Sequence, residues 1–185
     1  MLQPEQNSRR LFLGNAVRLI VASTGLASGT PALASLPNSR HLAFDHTHTG
    51  ERLSLVFAVG DRYIPAALAR LNLFLRDHYS GEVGNIDPQL FDLLFTIRQE
   101  LGCEQAFQVI SAYRCAATNN KLRGRRGAGV AKQSLHMEGK AIDIRLGGVS
   151  LADLRDAAMS LSAGGVGFYA VSDFVHVDTG RVRSW

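Results

Sequence analysis

Cysteine is nearly missing from this chain, with two in 185 residues. That excludes a disulfide-built scaffold and any cysteine-rich zinc knuckle. An excess of charge is missing too. Basic residues number 20 and acidic ones 16, and three of the former and one of the latter fall in the first 34 residues, leaving 17 against 15. Such a balance offers nothing to nucleic acid, and no basic helix with interleaved aromatics occurs. No apolar run reaches the roughly 18 residues that a membrane helix needs. Two catalytic signatures are also absent. Without Gly-x-Ser-x-Gly there is no serine-hydrolase elbow, and without His-Glu-x-x-His there is no helix-borne zinc peptidase motif.

What is present first is an export-type leader. Ser8-Arg-Arg-Leu-Phe-Leu13 puts paired arginines before an apolar stretch that runs to about Ala27. Ala32-Leu-Ala34 then gives small residues at signal-peptidase spacing. The Ser-Arg-Arg-x-Phe-Leu run resembles the bacterial twin-arginine motif, with Gly14 where a lysine is usual. The expected organisation is therefore a signal over 1–34 and one domain over 35–185, in a bacterial periplasm. No cysteine stands near the cleavage site, which excludes a lipoprotein. Hydrophobic residues make up 46% of the chain, enough for a real core. Cys103 and Cys115 could pair in an oxidising compartment, and their spacing leaves the bond open.

The periodicity predicts strands at Leu42 to Asp45 and Leu53 to Val59, joined by a polar turn. His46 and His48 beside that turn are read as part of it rather than as a second metal pair. His41 and His78 read as surface residues. Leu68, Leu71 and Leu75 mark a helix over 64–78. Asp87-Pro88 opens a second helix that stops at Gly102. A buried strand over 107–112, a short helix over 116–123 and a basic glycine-rich loop over 124–133 follow. Strand 141–145, a helix from Leu151 to about Leu161, and strands 166–169 and 174–178 complete the pattern. Helices and antiparallel strands mix without βαβ regularity, so the expected class is α+β.

The chemistry gathers in two phrases, Ser134-Leu-His-Met-Glu-Gly-Lys-Ala-Ile-Asp143 and Asp173-Phe-Val-His-Val-Asp178. Strand alternation puts Ile142 and Ile144 on one face and Asp143 on the other. In the second phrase it separates Val175 and Val177 from His176 and Asp178. If the strands are neighbours, Asp143 and His176 share a face, and His136 can fold over it from the preceding loop. Two imidazoles and a carboxylate can hold Zn²⁺ and leave a position open, as hydrolysis requires. Asp173 is then a spare carboxylate placed to act as a base. Arg114 ends the 107–112 strand region, where it could hold an oxyanion or simply be solvated. Arg123, Arg125, Arg126 and Lys132 could clasp an acidic polymer, or form an ordinary solvated loop.

Ser134-x-His-x-x-Gly139-x-Ala141-x-Asp143 with Asp173-x-x-His176 resembles the zinc peptidases related to D-alanyl-D-alanine carboxypeptidases, of the Hedgehog/D,D-peptidase fold. His48-Thr-Gly-Glu51, Ser111-Ala-Tyr-Arg114 and Val175-His-Val-Asp-Thr-Gly180 are similar to the YcbK-like murein endopeptidases among them. The resemblance covers about 40–185. It implies zinc ligands His136, Asp143 and His176, a base at Asp173 and an oxyanion-stabilising arginine at Arg114. The implied substrate is peptidoglycan. A carboxypeptidase acting on stem peptides and a zinc-stabilised wall binder without turnover remain as alternatives. Ala112 and Cys115 depart from the family's glycine and serine beside Arg114.

Overall fold

The computed structural model describes residues 37–124 and 130–185. The leader expected over 1–34 and Arg125 and Arg126 of the basic loop lie outside them.

Among the described residues, eight strands form one sheet in the order β3-β2-β1-β4-β5-β7-β6-β8. Strands β1 (Ser39–His46) and β2 (Arg52–Val59) form the expected hairpin, and β3 (Arg62–Tyr63) extends its edge. Helices α1 (Pro65–Phe74) and α2 (Pro88–Glu100) follow. The Asp87 carboxylate accepts the N–H of Gln89, so the Asp-Pro signal does start α2. Next come β4 (Phe107–Ser111), α3 (Ala116–Arg123) and a 3-10 turn (Leu135–Glu138). Strand β5 (Ala141–Leu146), α4 (Leu151–Ser160), β6 (Gly165–Tyr169), β7 (Phe174–Asp178) and β8 (Arg183–Ser184) complete the α+β domain.

The sheet is mixed rather than wholly antiparallel. β1 runs parallel to β4, and β6 parallel to β8. The helical crossover of α1 and α2 separates β1 from β4 and makes a parallel pair possible. Helix α1 is also shorter than its apolar spacing predicts. Past Phe74 the backbone leaves the helix, and the Asp77 carboxylate accepts the N–H groups of Tyr79 and Ser80. A side chain that captures local N–H groups competes with further helix.

The core lies under one face of the sheet. Leu42, Phe44, Phe57, Phe107, Ile142 and Ile144 come from the strands, and Leu71, Leu90, Phe91 and Leu94 from α1 and α2. Val175 and Val177 join the same core. The opposite face of β5 and β7 therefore carries Asp143 and His176, as alternation demands. These two are direct cross-strand partners in the β5–β7 ladder.

Candidate metal centre

Three backbone features bring His136 to that face. Arg114 donates its N–H to the His136 carbonyl at 3.2 Å, tying the 3-10 turn to the segment after β4. Gly139 ends the turn at φ +66°. A Cβ there would meet the Asn85 carbonyl at 1.9 Å, so only glycine lets the turn close against the α1–α2 connection. Lys140 then donates to the Leu135 carbonyl at 2.9 Å and the chain enters β5.

His136, Asp143 and His176 are all buried, and one donor atom from each lies within 4.8 Å of the others. Among the described residues this is the one group of three or more His, Cys, Asp or Glu donors so arranged. Outer hydrogen bonds fix the imidazoles. His136 Nδ1 lies 2.6 Å from the Ala112 carbonyl. A carbonyl can only accept, so Nδ1 carries the hydrogen and Nε2 is left facing Asp143 Oδ1 at 3.3 Å. His176 is held the other way round. Its Nε2 donates to Asp178 Oδ2 at 3.0 Å, and Nδ1 faces Asp143 Oδ1 at 2.9 Å. The donor set is thus Nε2, a carboxylate and Nδ1, and each imidazole is backed by the outer partner that metal-bound histidines require. This chemistry fits zinc with three protein ligands and a free position.

Electrostatics agree. Burial raises the Asp143 carboxyl pKa, but the two imidazoles outweigh it and hold Asp143 well below the usual carboxylate range. Burial lowers the His176 pKa, yet the hydrogen bonds to Asp143 and Asp178 push it to about 8. Ligation needs the facing nitrogens free of protons, so binding of a cation among the donors is coupled to proton release.

Arg114 joins the cluster. Its Nη2 lies 3.8 Å from Asp143 Oδ2 and donates to Ser111 Oγ at 3.3 Å. The four side chains line a cavity of about 320 Å³ that is open to solvent. Tyr169, Phe174 and Trp185 line it too. The Tyr169 and Phe174 rings stack at 4.6 Å, and Trp185 donates Nε1–H to the Tyr169 hydroxyl at 2.8 Å. Asp173 stands apart. It takes φ +56°, and its exposed carboxylate pairs with Arg145 at 3.2 Å rather than with any of the three donors.

The remaining candidates fall into place as follows. Cys103 and Cys115 are both free thiols. Cys115 Sγ accepts the Thr118 N–H at 3.4 Å and caps α3, the task its serine counterpart would perform. Its own N–H goes to Asp77 Oδ2 at 3.0 Å, which pins the residue after Arg114. That use of Asp77 escaped the sequence, because helical spacing had absorbed it. His78 is not a free surface residue. Its ring stacks on His48 at 4.3 Å, and its Nε2 is buried. His41 is partly buried and bonds to Ser54 Oγ at 2.8 Å. His46 and His48 do not join a metal-type donor group. His46 is buried and packs against Phe74 instead.

The sequence model of the family described as Peptidoglycan L,D-endopeptidase MepK matches residues 34–185. The curated protein of that name from Escherichia coli strain K12 is 45% identical over 175 residues, covering 91% of this chain and 96% of its own length. A probable peptidoglycan L,D-endopeptidase MepK of Haemophilus influenzae is 41% identical over 182 residues, covering 98% of this chain and 96% of its own length.

Proposed function

The chain belongs to the peptidoglycan L,D-endopeptidase MepK family, and from that membership we propose that it is a zinc-dependent murein endopeptidase that cuts L,D peptide cross-links. The observation that carries the zinc part is the convergence of His136 Nε2, the Asp143 carboxylate and His176 Nδ1 beside Arg114. These three residues would hold the metal. When bound, zinc supplies a Lewis acid for the scissile carbonyl and lowers the pKa of water toward about 7.

The chain's own residues do the rest. Arg114, buried and aimed at the same point, takes the negative charge that develops on the carbonyl oxygen. Asp173 accepts the proton of the attacking water and hands it to the leaving amine. Arg145 pairs with that carboxylate at 3.2 Å in the resting chain. The cavity is open to solvent and has an aromatic wall of Tyr169, Phe174 and Trp185, which leaves room for a peptide substrate. Because the substrate is the cell wall, the site of action is the periplasm, reached through the arginine-paired leader.

One observation favours a zinc-stabilised wall binder instead, namely that Asp173 turns to Arg145 and makes no ion pair with the donors. Incubating the zinc-loaded chain with purified L,D-cross-linked muropeptide dimers separates the readings. Release of monomers by mass spectrometry is expected. Loss of a single terminal residue would identify a carboxypeptidase, and binding without cleavage would identify the wall binder.

A further inference from the structure

We propose that Arg183 is a positioning residue of the metal centre: acting through Asp178, it fixes the ring of His176 so that Nδ1 faces the other two donors. This rests on the zinc reading of the same site. Asp178 is 0% exposed, so its carboxylate must find all its partners within the protein. Its two oxygens are held differently. Oδ1 accepts the N–H groups of Gly165 at 3.1 Å and Gly180 at 2.8 Å, and Arg183 Nη1 at 3.1 Å. Among the described residues, Oδ2 receives Arg183 Nη2, at 2.7 Å, and His176 Nε2, at 3.0 Å. The backbone thus anchors one oxygen and leaves the other to the guanidinium fork. Because the fork grips both oxygens, it sets the plane of the carboxylate and the line along which Oδ2 meets His176.

The surroundings are shaped for that fork. β8 runs beside β6 with Arg183 opposite Gly165. A Cβ on Gly165 would come within 2.4 Å of Arg183 Nη1 and 2.5 Å of Asp178 Oδ2, so any larger residue there displaces the pair. Arg183 also donates Nη1 to the Arg181 carbonyl at 3.0 Å, and its guanidinium carbon lies 4.8 Å from the centre of the Trp185 ring. Gly167 makes room for that indole, since a Cβ there would meet it at 2.7 Å. Lysine at 183 would keep the charge but could not grip both oxygens.

The test is zinc affinity, measured by competition with a chromophoric chelator, together with the visible absorption of the cobalt-substituted chain. Arg183→Gln is expected to weaken zinc binding about 10–100-fold, the usual effect of losing an outer partner of a metal ligand. Its cobalt spectrum should shift. Arg183→Lys should fall between, and Gly165→Ala should weaken zinc without removing the charge. Thermal unfolding of the metal-free chains reports the fold separately. Unchanged zinc affinity and cobalt spectrum in Arg183→Gln would overturn the proposal, including where the variant melts lower. Failure of the unaltered chain to bind zinc would instead overturn the zinc reading beneath it.

Discussion

Two hydrogen bonds decide which nitrogen each histidine offers. The Ala112 carbonyl takes the Nδ1 hydrogen of His136, and Asp178 takes the Nε2 hydrogen of His176. The free nitrogens then meet at Asp143 from opposite ends of the two rings, whose centres are 5.0 Å apart. The grouping of His136, Asp143 and His176 was legible in the sequence because alternation and motif spacing are local. The backbone acceptor of His136 was not, because a carbonyl leaves no mark on residue type. Two variants separate holding the metal from using it. His136→Ala should lose zinc by metal analysis and activity with it. Asp173→Asn should keep zinc and fold but lose about 10²–10⁴-fold in turnover, the typical worth of a general base. Loss of zinc in the Asn variant would make Asp173 a support of the metal rather than a base, and near-normal turnover would remove it from the chemistry.

At the scale of elements, the segment between α1 and α2 matters more than its sequence suggests. Apolar spacing extends a helix through it, but the chain instead folds Asp77 inward to hold Tyr79, Ser80 and Cys115 by their N–H groups. Leu75 offers its carbonyl to the Tyr113 N–H at 3.1 Å. Residues on both sides of Arg114 are thereby tied to one turn. Such long-range hydrogen bonds have no periodicity to read. Parallel pairing of β1 with β4 was illegible for the same reason, while the β5 and β7 patterns translated directly into strands. Burial raises the Asp77 pKa, but hydrogen bonds from Thr118, Cys115 and Tyr79 bring it down from 3.8 to about 2. A folded-state pKa below the unfolded one gives stability that is present above pH 4 and lost as pH falls toward 2. The shift corresponds to about 2 kcal/mol. Denaturant unfolding at several pH values should show Asp77→Asn less stable than the unaltered chain at neutral pH, with the gap closing between about pH 4 and 2. A gap independent of pH would show that the carboxylate charge is not what matters.

At the scale of the molecule, one α+β domain puts its hydrophobic core under one face of the sheet and its polar cluster on the other. The class and the division of faces were readable because hydrophobic period follows secondary structure. No helix among the described residues is long and apolar enough to cross a membrane. We propose separately that Ser8–Leu13 directs twin-arginine export; replacing Arg9 and Arg10 together by lysine should then leave the full-length precursor in the cytoplasm on fractionation. Normal export of that variant would mean a general secretory signal. The most direct measurement is digestion of purified sacculi by the zinc-loaded chain, with the muropeptides resolved by chromatography and mass spectrometry. The expected result is loss of L,D-cross-linked dimers and gain of monomers, abolished by chelation and by His136→Ala. Sacculi whose cross-links stay intact under zinc-replete conditions would contradict a murein endopeptidase.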